Sequence, residues 1–130
     1  MSDLDKKIIK MVSVVTEKTY RKDVVWRLVD APEKIVQGSS FYVGNMYSAI
    51  INKRNFVIYE SKQEEYSIYV EKFYWHTNLV LAVADVDNVP IHTVCSGRSI
   101  LNDLYTAVTS QVSDVDNLIN DIIEDDFSDL

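Results

Sequence analysis

The first apolar residues of the chain recur at the spacing of one helical face. Ser2 or Asp3 precedes them and can provide the side-chain oxygen of an N-cap. This i, i+3/i+4 spacing is typical of an amphipathic helix. The pattern predicts a helix over residues 3–19, followed by a strand over residues 24–30, where the period changes to two. The apolar positions of the helix are Leu4, Ile8, Met11 or Val12, and Val15.

The middle of the chain is rich in Tyr, Val and Ile, residues that favour strands. Residues 37–39 contain Gly and Ser and predict a loop. Two strand-like segments, residues 41–51 and 56–59, flank residues 52–55 with the sequence NKRN. Strand, short polar turn and strand together predict an antiparallel hairpin.

Three further segments complete the predicted sheet. Residues 66–75 alternate in a period of two and predict another strand. Residues 79–86 are nearly all apolar, which is typical of a central strand. Asp87 and Asn88 then reverse the chain into residues 89–95, where a proline at position 90 indicates an edge strand.

Two helical patterns close the chain, the second of them preceded by Asp114 as a possible N-cap. The sequence therefore predicts an α+β fold in a single domain, residues 1–130, with an N-terminal helix, an antiparallel β-meander of five or six strands and C-terminal helices. The apolar positions of the two patterns are Ile100, Leu101, Leu104, Tyr105 and Val108, and Val115, Leu118, Ile119, Ile122 and Ile123.

Charge is distributed unevenly along the chain. The net charge is -7, which argues against a polymeric nucleic acid as partner because such binding depends on Lys and Arg. The asymmetry has two interpretations. The charged residues form solvated helix faces, or they serve in binding, either of a small anionic ligand near the basic side or of another protein in a head-to-tail contact. The late acidic residues are Asp114, Asp116, Asp121, Glu124, Asp125, Asp126 and Asp129; the early basic ones are Lys6, Lys7, Lys10, Lys18, Arg21 and Lys22.

The lack of a recognisable targeting signal and the single cysteine favour a cytoplasmic protein. No apolar run reaches the roughly 18 residues of a membrane-spanning helix, and the start, MSDLDKK, lacks a signal-peptide pattern. Cys95 is the only cysteine, which excludes an intrachain disulfide. We expect no contact with a membrane.

Motifs for catalysis, metals and cofactors are absent from the sequence. There is no phosphate-binding glycine loop, zinc-binding HExxH or nucleophile-bearing GxSxG. His76 and His92 have no Cys or carboxylate at ligand spacing. Paired carboxylates, Asp85 with Asp87 and Asp125 with Asp126, fall in a turn and a tail, where they are usually solvated. We expect a protein that is not an enzyme, without metal or cofactor.

Two features point to ligand binding. Ser96-Gly97-Arg98-Ser99 precedes a helix, where backbone N–H groups, hydroxyls and a guanidinium favour an anion such as phosphate; the alternative is an ordinary N-cap with a solvated arginine. The second feature is a run of aromatics before Asn78, which can stack a base while the amide reads its edge; the alternative is core packing. The aromatics are Tyr66, Tyr69, Phe73, Tyr74 and Trp75.

The order of elements resembles a known family. A basic N-terminal helix runs into VVWRLVD, a Tyr-rich meander FYVGNMYSAIINKRNFVIYE follows, and a SILNDLYTAV helix comes near the end. This order resembles small phage counter-defence proteins of the first Thoeris anti-defence family. The resemblance implies a sponge that sequesters a cyclic ADP-ribose isomer without cleaving it, in pockets shared between subunits, in the host cytoplasm.

The same resemblance implies which residues bind the ligand. Phe73 would stack the base, with Trp75 as the alternate, while Asn78 would read it and Arg98 would meet the phosphates. Asn102, one turn after Arg98, stands where the family's second arginine is expected. Ser99 joins this set through its hydroxyl beside the helix N-terminus.

Two expectations concern protein partners. Three apolar helical stripes exceed what one small sheet face can cover, so we expect a dimer or higher homo-oligomer. An alternative function to nucleotide sequestration is a protein-binding inhibitor or immunity protein, whose acidic end covers a basic site on a toxin or nucleic-acid enzyme.

Overall fold

The computed structural model describes residues 2–32 and 41–128, so the predicted loop over residues 37–39 lies outside the described residues. Helices open and close the described chain, with five strands between them. The elements, in chain order, are α1 Asp3–Tyr20, β1 Arg27–Val29, β2 Phe41–Ile51, β3 Arg54–Ser67, β4 Lys72–Ala84, β5 Pro90–Ser96, α2 Ile100–Ser113 and α3 Val115–Ser128.

The five strands form one antiparallel sheet in the order β1-β2-β3-β4-β5. The predicted α+β fold with a β-meander is confirmed. The β2–β3 turn places Asn52 and Lys53 at positive φ, which matches the left-handed backbone of the two-residue turns that suit twisted strands. Pro90 begins the edge strand β5, where its missing N–H leaves no gap inside the sheet.

Helix α1 begins as the sequence predicts. The Ser2 hydroxyl oxygen accepts a hydrogen bond from the Asp5 N–H at 3.1 Å, which completes the N-cap. Along the buried side of α1, Val12 and Val15 are removed from solvent, and Ile8 and Met11 pack against the same core. Leu4 remains exposed, so the predicted stripe is buried only from its second turn onward.

The main core lies between the sheet and two helices, α1 and α2. Leu101, Leu104 and Val108 of α2 are fully buried against the sheet face that carries Ile58 and Leu81. Because strand side chains alternate, every second residue of β3 and β4 points to this helix-covered face. The same parity determines which side chains face the helices farther along these strands.

A second apolar cluster occupies the opposite face of the sheet. Met46, Val57 and Ala82 are fully buried there, and Val29 packs against them. Ser48 shares this face because it pairs with Val57, and its buried hydroxyl has no hydrogen-bond partner among the described residues. The sheet therefore carries apolar residues on both faces.

Strands β3 and β4 continue beyond their neighbours as a two-stranded hairpin. Gln63 is the last residue of β3 that pairs with β2, and Val80 is the first residue of β4 that pairs with β5. We call residues 64–75 the hairpin arm. Their ladder runs from Glu64↔Trp75 to Ser67↔Lys72, and no third described strand pairs with them.

The hairpin arm corrects one sequence prediction. The sequence predicts a continuous strand over residues 66–75, and the alternation of side chains along such a strand would put Tyr66 and Phe73 on opposite faces. The chain instead turns at residues 68–71, and Glu71 adopts a positive φ of 51°. Tyr66 and Phe73 therefore pair directly, with ring centroids 5.1 Å apart on the same face.

Helix α3 follows α2 with hardly a break. Asp114 ends α2 in the left-handed conformation and α3 begins at the next residue. The helix that the sequence predicts here is confirmed, but the apolar side chains described on it are not covered. Leu118, Ile119, Ile122 and Ile123 are each between 48% and 61% exposed. None of the helices described has the length and apolar character that a membrane crossing requires.

Candidate functional site

A polar pocket lies where β4, the end of β5 and the start of α2 meet. Its volume is about 280 Å³. Asn78, Arg98, Ser99 and Asn102 all contribute to its lining, so four predicted ligand-binding residues come together. The remaining lining residues are Thr77, Leu79 and Gly97. Phe73 and Trp75 do not line the pocket.

Gly97 allows the chain to turn sharply into this pocket. Its φ is +67°, a conformation that costs a side-chain-bearing residue about 1–2 kcal/mol. Its N–H donates to the Leu79 carbonyl at 3.0 Å, which fixes the turn against β4. A Cβ at this position would lie 3.5 Å from Asn78 Oδ1, which is ordinary contact. Backbone conformation, not space, is therefore the reason for glycine here.

Arg98 is anchored by a residue that sequence reasoning missed. Its Nη2 donates to Asp5 Oδ1 of α1 at 2.8 Å, although the two residues are 93 positions apart. Both side chains are partly accessible to solvent. The guanidinium is thus held at the pocket with part of its charge already balanced. An incoming anion must either displace the Asp5 carboxylate from Arg98 or share the guanidinium with it.

The N-terminus of α2 offers fewer free donors than the sequence suggests. The N–H groups of Leu101 and Asn102 donate to the carbonyls of Arg98 and Ser99 at 3.1 and 3.0 Å. Ser99 has helical φ and ψ, and its hydroxyl makes no capping hydrogen bond. That hydroxyl and the Arg98 guanidinium are the side-chain donors that residues 98 and 99 present to an anion.

The two predicted stacking residues differ in their distance from the pocket. Trp75 lies two residues before Thr77 on the same strand face, which corresponds to about 7 Å along the strand. It is 61% exposed. Phe73 lies a further two residues away and packs on Tyr66. Trp75 is thus the aromatic placed nearest to the pocket on that face of β4.

The two histidines stand far apart. His76 pairs with Gln63, whereas His92 on β5 pairs with Val83 of β4. The seven residues from His76 to Val83 span about 23 Å of strand. Within residues 2–32 and 41–128, no group of three His, Cys, Asp or Glu side chains is arranged to hold a metal ion.

Cys95 lies next to the pocket but is buried in the main core. Burial raises the pKa of its thiol, and the nearby Arg98 charge offsets this only in part. The thiolate is the nucleophilic form of cysteine. This cysteine is therefore a poor nucleophile at neutral pH.

Sequence signals account for part of the pocket. The SGRS segment before a helix indicated Arg98 and Ser99, and Asn78 stood out after the aromatics. Thr77, Leu79 and Asp5 carry no local signal, because their roles depend on strand register and on helix packing. No protein-family model, curated protein or solved structure matches this chain.

Proposed function

We propose that this chain binds a small phosphate-bearing nucleotide, of the cyclic ADP-ribose type, and sequesters it without cleaving it. The observation that carries the proposal is the convergence of Asn78, Arg98, Ser99 and Asn102 on one pocket of about 280 Å³. A guanidinium and a free hydroxyl suit phosphate, and two amides suit the edge of a base. The resemblance in element order leads to the same ligand class and to an anti-defence role.

The proposed roles follow from position. Arg98 and the Ser99 hydroxyl hold phosphate, while Asn78 or Asn102 reads the base. Trp75 is assigned the stacking role in place of Phe73, because it stands two residues from Thr77. Stacking on an aromatic contributes about 1–3 kcal/mol per base.

The ion pair between Arg98 and Asp5 provides a direct test. Arg98→Ala removes a charge-assisted contact of about 1.5–3 kcal/mol, so it should weaken binding at least tenfold. Asp5→Asn keeps the size of the side chain and removes the competing charge, so it should tighten binding. Arg27→Ala removes an exposed arginine of β1 outside the pocket and serves as the matched control.

Calorimetry with cyclic ADP-ribose isomers and cyclic oligonucleotides measures all three variants. An absence of binding heat with wild-type protein would overturn the proposal. Sequestration without cleavage also requires that mass spectrometry, after heating the complex, recovers the nucleotide with its mass unchanged. A product of different mass would indicate an enzyme.

A second candidate function is a protein-binding inhibitor. The observation that favours it is α3, whose exposed apolar side chains are accompanied by exposed carboxylates such as Asp121 and Glu124. A basic partner site would be approached by electrostatic steering. Association with a captured toxin or nucleic-acid enzyme should then slow at high salt, and a salt-insensitive on-rate would argue against this function.

A further inference from the structure

An apolar groove lies between α1 and the β2–β3 hairpin, on the helix-covered side of the sheet. Its volume is about 350 Å³, in the range of sites that accept a ligand or an inserted side chain. Val15 and Leu81, both buried, contribute to its lining, and Val14 at its surface is 41% exposed. The apolar lining is completed by Met11, Ile51 and Phe56.

Two cations stand among the lining residues of this groove. Lys18 of α1 and Arg54 of β3 line it together with Asn52. Both are exposed, and neither forms an ion pair with a described residue. The groove thus combines an apolar interior with unbalanced positive charge, in a protein whose net charge is -7.

Helix α3 has the complementary character. Its stripe of Leu118, Ile119, Ile122 and Ile123 is exposed. Asp121 lies three residues after Leu118, so it falls beside one edge of this stripe. An isolated helix shorter than about 12–15 residues is marginally stable in water, and α3 has 14 residues. A partner surface that covers the stripe would therefore stabilise this helix.

We propose that α3 of one copy of this chain docks into the groove of a second copy. Leu118, Ile122 and their neighbours enter the apolar interior, and Asp121 faces Lys18. Reciprocal exchange of the two α3 helices gives a closed two-fold dimer in which both grooves are filled. A second copy is the occupant because the chain itself exposes both complementary surfaces, an acidic apolar helix and a basic apolar groove.

Single substitutions on either surface test the docking. Ile122→Asp on α3 and Val14→Glu on the groove should each raise the dimer dissociation constant at least tenfold. Both positions are exposed in a single copy, so the fold should persist, as checked by circular dichroism. Val86→Asp, at a turn residue that is 93% exposed, is the matched control. Sedimentation velocity at micromolar concentration reports the dissociation constants.

Charge reversal tests the predicted pairing. Lys18→Glu and Asp121→Lys should each weaken the dimer, and combining them in one chain should restore at least part of the lost affinity. Weakening that adds up in the double variant would overturn the assigned pairing of Asp121 with Lys18. A wild-type protein that sediments as a monomer of 15.0 kDa would overturn the docking itself.

Cysteine cross-linking identifies the occupant. A Val14→Cys chain mixed with an Ile122→Cys chain should form a mixed disulfide on oxidation. A disulfide between two Ile122→Cys chains instead would indicate α3–α3 pairing, and an intrachain disulfide in the double variant would indicate docking within one copy; either result overturns the proposal. Because Asp5 and Arg98 do not line this groove, the nucleotide test can fail or succeed independently.

Discussion

One side chain, Gln111, connects three parts of the molecule at once. Its Oε1 accepts from the Trp26 N–H at 2.7 Å, and its Nε2 donates to the carbonyls of Thr19 and Val24 at 2.9 and 2.8 Å. The indole of Trp26 adds a bond from Nε1 to the Thr19 hydroxyl at 3.0 Å. Gln111 therefore links the end of α1 and the segment before β1 to α2.

We predict that Gln111→Ala lowers the free energy of unfolding by about 2–3 kcal/mol, because a partly buried N–H and two carbonyls lose their partner. Urea denaturation followed by fluorescence measures the change. Gln63→Ala, at an exposed strand position, should change stability by less than about 0.5 kcal/mol. Similar unfolding curves for Gln111→Ala and wild-type protein would contradict this interpretation.

Side-chain contacts could be predicted from the sequence only where the two partners are close along the chain. Ser2 as N-cap could be predicted because its partner is three residues away. The partners of Gln111 lie up to 92 residues away, and Asp5 lies 93 residues from Arg98. Such pairs depend on how α1 packs beside α2, which no local pattern encodes.

At the scale of elements, the hairpin arm carries exposed aromatics away from both cores. Trp75 and Phe73 belong to neither buried cluster, and among the described strands the arm is paired only within itself. We predict that Trp75→Ala changes the free energy of unfolding by less than about 1 kcal/mol. Under the proposed function, the same substitution weakens nucleotide binding about tenfold or more, the loss of one stacking contact.

Phe73→Ala is the matched control for that prediction, since it removes an exposed aromatic from the same strand at a greater distance from the pocket. Calorimetry should show unchanged affinity for Phe73→Ala and reduced affinity for Trp75→Ala. The reverse order would restore Phe73 as the stacking residue. Loss of folding in Trp75→Ala, seen by circular dichroism, would show that the arm contributes to stability.

Element boundaries were predictable where the chain uses ordinary turn residues. The β2–β3 hairpin was found through Asn52, and Asp87-Asn88 marked the turn before β5. The arm was missed because its turn, residues 68–71, has the sequence IYVE, without Gly, Pro, Asn or Asp. The alternation of side-chain types therefore continues through the turn, and only the pairing of β3 with β4 shows that the chain reverses there.

For the whole molecule, the sequence indicated more helical surface than the sheet can cover. Helices α1 and α2 do bury their stripes on one sheet face, and α3 exposes its stripe. Counting apolar faces thus anticipated an unsatisfied surface. It did not anticipate the apolar cluster on the opposite sheet face, because the near-continuous apolar run of β4 fixes no single buried side.

Phenols packed in the two apolar clusters are protected from ionisation. Tyr105 packs edge-on against Tyr47 with centroids 5.9 Å apart. Burial, together with the Glu60 carboxylate, raises the pKa of Tyr105 well above its usual 10, and burial raises the pKa of Tyr59. In the unfolded chain both phenols titrate near pH 10. The folded state therefore binds their protons more tightly than the unfolded state.

Stability should consequently be insensitive to these groups below about pH 10 and fall above it, because the unfolded chain then loses its phenolic protons first. Tyr105→Phe keeps the ring and removes one such group, so its stability should decline less steeply above pH 10. Tyr69→Phe, at a residue that is 92% exposed, should follow the wild-type slope. Urea midpoints measured between about pH 8 and 11 check this, and parallel profiles for Tyr105→Phe and wild-type protein would contradict it.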